Sequence, residues 1–130
     1  MARPAYCFTV AIQRPLHAAL VDVRAALQAE GFQVVAECEA PAEGRCHQVL
    51  FTHVGLQARI INAEPNTASM LPWTAAVLEL APQHTHVALQ DPMVLTSYTR
   101  NAQVKAACEQ AALLLRRVSD RLMLGRPVQL

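Results

Sequence analysis

The sequence predicts an α+β two-layer sandwich, a mostly antiparallel sheet of about five strands with three helices, as one domain over residues 1–130. Three observations carry this expectation. Several short segments alternate in hydrophobicity at period two, as a strand with one buried face does. Two longer segments carry apolar stripes at alternating spacings of three and four, the pattern of a helix packed along one side. The later strands are joined by hairpin-length connections, which antiparallel neighbours allow, and three helices can then cover one face of the sheet.

The elements follow in order. Residues 5–12 alternate, with Tyr6, Phe8, Val10 and Ile12 on one face and Ala5, Cys7, Thr9 and Ala11 on the other. Pro15 opens a helix over residues 15–30, because a first-turn residue needs no N–H partner. Leu16, Leu20, Val23 and Leu27 form its stripe, and Gly31 closes it. Residues 32–39 alternate again, setting Phe32, Val34, Ala36 and Cys38 toward the core, with Glu37 and Glu39 on the other, solvated face. Residues 40–46 form a turn-rich loop. A third strand runs over 48–54, and a short helix over 55–63 turns Leu56, Ile60 and Ala63 inward. That helix ends at Glu64-Pro65, since a residue before proline is pushed out of the α region.

Residues 73–80 and 85–90 read as two strands around a turn at Ala81-Pro82-Gln83-His84, and Asp91-Pro92 starts a loop. Thr99 or Asn101 then caps a long helix with the stripe Val104, Cys108, Ala111, Leu115, Val118 and Leu122, ended by Gly125 and Pro127. The order is strand-helix-strand-strand-helix-strand-strand-helix, whose first six elements follow the ferredoxin-like order.

Composition narrows the function classes. The 130-residue, 14.2 kDa chain is 53% hydrophobic and 16% charged with net charge +1, which excludes a disordered tail. It also lacks the basic footprint of a nucleic-acid or membrane-surface binder, so neither partner is expected. The N-terminus has no basic-then-apolar signal order, and no run approaches the ~18 apolar residues of a membrane span. A cytoplasmic protein is therefore expected. Cys7, Cys38, Cys46 and Cys108 would stay reduced there, acting as small hydrophobes.

The chemical motifs are sparse. The glycines stand too far apart for a phosphate-cradling loop, and no Gly-x-Ser-x-Gly elbow or Cys-x-x-Cys pair occurs. Cys38, Cys46 and His47 have poor spacing for zinc, and His84 and His86 read as polar residues of an exposed face. No metal, no cofactor and no catalytic residue is expected.

The run Val49-Leu50-Phe51-Thr52-His53-Val54, followed by Leu56 to Ala63-Glu64-Pro65, Leu71-Pro72 and a strand leading to Asp91-Pro92, resembles the bacterial domain-of-unknown-function family 302. The helix ending at Gly31-Phe32 and the long C-terminal helix fit the same pattern, so the resemblance spans nearly the whole chain. The chain departs from it in having Thr52-His53-Val54 where many members have Cys-Asn-Pro, Trp73 where many have cysteine, and a short loop at 40–46. The resemblance implies a fold and a place to look. It implies no reaction, and thiol or metal chemistry on those two cysteines is not expected here.

That place is where three strand ends are expected to converge. Thr52 and His53 stand at a strand end that opens a helix, where unpaired N–H groups attract a ligand oxygen. Pro72 and Trp73 open the next strand, and Asp91 with Met93 follows the hairpin. Together they would form a pocket of one aromatic plate, one imidazole, one carboxylate and a Met wall. Set against this, Thr52 would be a helix cap, Trp73 core, Asp91 the cap of its own turn and His53 a surface residue. The expected function is a non-catalytic small-molecule or partner-binding domain. The alternative is a small enzyme using His53 and Asp91 as acid/base groups beside Trp73. A two-fold homodimer is expected, through Leu113 and its neighbours Ala106 and Leu124 on the long helix, or through an edge strand bearing Val87 and Leu89.

Overall fold

A computed structural model describes residues 4–124. Within them run β1 (Cys7–Ile12), α1 (Leu16–Ala29), β2 (Gln33–Glu39), β3 (Arg45–Thr52), α2 (Val54–Ala63), β4 (Trp73–Ala81), β5 (His84–Gln90) and α3 (Ala102–Leu124). Short 3-10 helices run over Pro65–Met70, just past the expected helix end, and over Pro92–Ser97, where a loop is expected, each opened by its proline. The α+β class and the element order are those the sequence predicts. Gly125 and Pro127, the expected stop of the last helix, lie outside the described residues, as does the side chain of Leu124.

The sheet has the order β1-β5-β4-β3-β2, and every pairing is antiparallel. The ferredoxin-like likeness stops at the element order. Helix α1 carries the chain from β1 at one edge to β2 at the other, and β2 to β5 then meander back across the sheet. Among the described residues no helix joins two adjacent parallel strands; β1 and β2, which α1 connects, run the same way but at opposite edges.

One face of the sheet holds the core. Phe8, Val10, Ile12, Val49, Phe51, Trp73, Ala75, Val77, Val87 and Leu89 cluster with the stripes of α1 and α3, all of whose expected positions are buried. Strand β5 is internal, so Val87 and Leu89 are fully buried and cannot pair across an edge. The edges are β1 and β2. Tyr6, expected on the core face, precedes β1 and is exposed.

Strand β2 departs from simple alternation. Val34 pairs with Phe51 but Ala36 pairs with Leu50, so Val35 is an inserted bulge residue. The bulge reverses the faces beyond it. Glu37 comes opposite Val49 on the helix side, while Cys38 comes opposite Gln48 on the far side and is exposed rather than core. Glu37 thereby meets Arg24 of α1 and His47 of β3.

The face away from the helices has a definite register. Its cross-strand rows are Cys7, Gln90, Thr74, Leu50 and Ala36; then Thr9, Ala88, Ala76, Gln48 and Cys38; then Ala11, His86, Leu78 and Cys46. None of these is Asp, Glu, Lys or Arg. The charged residues of the strands, Glu37, Glu39, Arg45 and Glu79, all stand in the opposite, helix-side phase.

Candidate functional site

The ends of β3, β4 and β5 do converge. Phe51 pairs with Trp73, the Thr74 N–H donates to the Gln90 side-chain oxygen at 2.9 Å, and Gln90 pairs with Cys7. Trp73 is in the first of these pairs, and Thr52 and Asp91 each follow a paired residue directly, so all three stand at one end of the sheet.

Local chemistry decides what each side chain does there. The cap of α2 is His53 rather than Thr52: its Nδ1 accepts the Leu56 N–H at 3.3 Å, and its backbone is extended as an N-cap requires. Thr52 is buried and its hydroxyl bonds the Gln57 side chain. The His53 ring stands edge-on to Phe32, with centroids 5.7 Å apart. Gly31, at φ +87°, ends α1 beside that ring; a Cβ there would sit 3.5 Å from its Nε2. The left-handed turn needs glycine, since a side chain is strained at positive φ.

Trp73 is core. It is 2% exposed and packs against Phe32 and Phe51, each with centroids 6.2 Å away. Phe32 thus lies in contact with both Trp73 and His53. Pro72 precedes Trp73 after a cis peptide bond with Leu71. Asp91 is buried, and its Oδ1 accepts the Met93 N–H at 2.9 Å, capping the 3-10 helix in which Met93 packs on the core. The His53 Nδ1 and Asp91 Oδ1 bonds are local caps, one on α2 and one on the 3-10 helix, while the Asp91 N–H donates to the Tyr6 carbonyl at 2.9 Å.

The cysteine–histidine run divides between the two sides of the sheet. Cys46 projects to the helix-free face with Cys38, whose Sγ bonds the Gln48 side chain at 3.6 Å. His47 projects to the helix side, where its Nε2 lies 2.9 Å from Glu37 Oε1. Adjacent residues on a strand point to opposite faces, so this separation follows from pleating alone.

Two titrations bear on the site and its support. The Arg24 guanidinium bonded to Glu37 brings that carboxyl down to about 2, against its burial and with help from His47. Burial pushes the Cys108 thiol up to about 11, with the Asp91 and Glu109 charges adding to it. Cys108 on α3 therefore sits behind Asp91 as a protonated packing group.

A feature that strand alternation does not reveal lies at the same sheet end, on the helix-free face. A shallow hollow of about 320 Å³ is lined by Cys7, Thr74, Ala76, Ala88 and Gln90, with Tyr6 and Val94 at its rim. Its walls are mainly apolar, and the Gln90 amide and Thr74 hydroxyl supply polar groups. The signal was present in the sequence as small, uncharged residues in the outward phase of β1, β4 and β5.

The family model described as "Domain of unknown function DUF302" matches residues 8–122. The chain belongs to the DUF302 family. A solved structure shares its fold, the crystal structure of an uncharacterized conserved DUF302 protein from Bacillus stearothermophilus, with a TM-score of 0.81 and 16% identity. That match covers 92% of this chain and 99% of the other. No curated protein matches the sequence. Among the described residues, no helix is long and apolar enough to cross a membrane.

Proposed function

We propose that this DUF302 chain is a non-catalytic, cytoplasmic binding domain that works as a homodimer and holds a small molecule at the converging strand ends. The observation that carries the reading is the hollow at Thr74, Ala88 and Gln90, which combines an apolar lining with a few polar groups, as ligand sites do. The six residues singled out from the sequence, Thr52, His53, Pro72, Trp73, Asp91 and Met93, act in this reading mainly as the scaffold of that sheet end. The acid/base alternative has less support, because His53 Nδ1 and Asp91 Oδ1 are both engaged as caps.

Native mass spectrometry of protein isolated from its host, together with titration by the apolar dye anilinonaphthalene sulfonate, tests the reading. A co-purifying small molecule, or dye fluorescence abolished by Ala88→Trp in a folded variant, is the expected result. Dye binding unchanged by Ala88→Trp, with no co-purifying mass, overturns it.

A further inference from the structure

We propose that a second copy of this chain docks on the helix-free sheet face, about a two-fold axis running along β4, and roofs the hollow beside Gln90. The inference deepens the homodimer reading above and rests on it.

The first support is the distribution of charge. An antiparallel sheet with one face in the core ordinarily turns its polar residues outward on the other. Here the formal charges depart from that rule: Glu37, Glu39, Arg45 and Glu79 share the helix-side phase, and the three outward rows carry Gln, Thr and His but no Asp, Glu, Lys or Arg. A face without Asp, Glu, Lys or Arg can meet its own copy without the repulsion of such like charges. A two-fold axis requires that, because every residue on the axis meets its own counterpart.

The second support is size. Five strands at about 4.8 Å spacing, with outward rows extending about 20 Å along them, present roughly 500 Å² per copy in flat projection. Two copies reach the roughly 1,000 Å² at which stable interfaces begin, before the corrugation of the side chains is added.

The third support is relief. In the first row Leu50 and Gln90 flank Thr74 on opposite sides. Rotation about an axis along β4 therefore carries Leu50 of one protomer over the Gln90–Ala88 hollow of the other. The central Thr74 and Ala76 are small enough to let the two sheets close to about 10 Å. An open hollow buries too little of a small molecule, and a roofed one encloses it.

Light scattering from nanomolar to high micromolar concentration, on the whole chain and two variants, decides the matter. Leu78→Glu places two carboxylates against each other on the axis without touching the hollow's lining, and Leu113→Glu changes the exposed face of α3. The expected masses are twice 14.2 kDa for the unaltered chain and for Leu113→Glu, and 14.2 kDa for Leu78→Glu with unchanged circular dichroism. Dye binding should fall with dissociation in Leu78→Glu. Should that variant not fold, alkylation of Cys46 in the unaltered chain substitutes for it, and labelling should slow several-fold as dimer forms. A dimer that survives Leu78→Glu, that is lost in Leu113→Glu, or that leaves Cys46 labelling unchanged overturns the docking surface while the homodimer reading stands. Dye binding retained by the Leu78→Glu monomer overturns the roof alone. A mass of 14.2 kDa at every concentration, with or without a retained small molecule, overturns both the surface and the homodimer reading.

Discussion

Arg24 of α1 grips Glu37 of β2 in a two-bond fork, Nε to Oε2 and Nη2 to Oε1, both at 2.7 Å. The pair ties a bulged edge strand to the helix that covers it, and His47 of β3 reaches the same carboxylate. Because the folded Glu37 carboxyl lies near 2, below its ordinary 4.5, its contribution to stability is full above pH 4.5 and is lost as pH falls toward 2. Both partners are partly solvated, which screens the contribution to about 1 kcal/mol or less. Urea unfolding at neutral and acid pH checks this. Glu37→Gln should lower stability at neutral pH and flatten the acid limb, and an unaltered acid limb would contradict the assignment.

Leu27 of α1 and Leu115 of α3 are both fully buried in the one core cluster. Truncating either to alanine should cost about 2–5 kcal/mol, through lost burial and the cavity left behind. Denaturant midpoints measure this. A cost within experimental error for both would mean that the stripes do not pack on the sheet.

Asn101 is the cap of α3, its Oδ1 accepting the N–H groups of Gln103 and Val104 while its Nδ2 donates to the Ala63 carbonyl. Asn101→Ala removes the cap and a tie to α2, and should cost about 0.5–2 kcal/mol. Asn101→Asp keeps the cap and should recover most of the loss in thermal unfolding.

Cys38 is exposed, while Cys108 is buried with its thiol raised to about 11. Thiolate is the reactive form, so alkylation at nanomolar concentration, where the proposed sheet-face pairing is dissociated, should modify Cys38 and leave Cys108 untouched until unfolding. Peptide mapping after a timed iodoacetamide pulse gives the order. Early labelling of Cys108 would place α3 off the sheet.

The local elements were legible in the sequence because each reports its own burial. The α1 and α3 stripes, the alternation around Phe8, Phe51 and Val87, and the stops at Gly31 and Glu64-Pro65 are set by contacts within a few residues or by whether a side chain meets water. The family membership was legible on the same run of strand and turn residues. Strand order was not. That β5 lies between β1 and β4, burying Val87 and Leu89, depends on pairing across the whole chain, which periodicity does not encode. One inserted residue at Val35 reversed Cys38 and Glu37, because a period of two turns any slip into a change of face. Thr52, Trp73 and Asp91 do stand near one sheet end, yet Trp73 is core because Phe32, forty-one positions earlier in the chain, packs against its ring. Sequence alone determined which residues seek burial and where the chain turns; tertiary pairing decided which neighbours they found, and with them which sheet face was left without a covering helix.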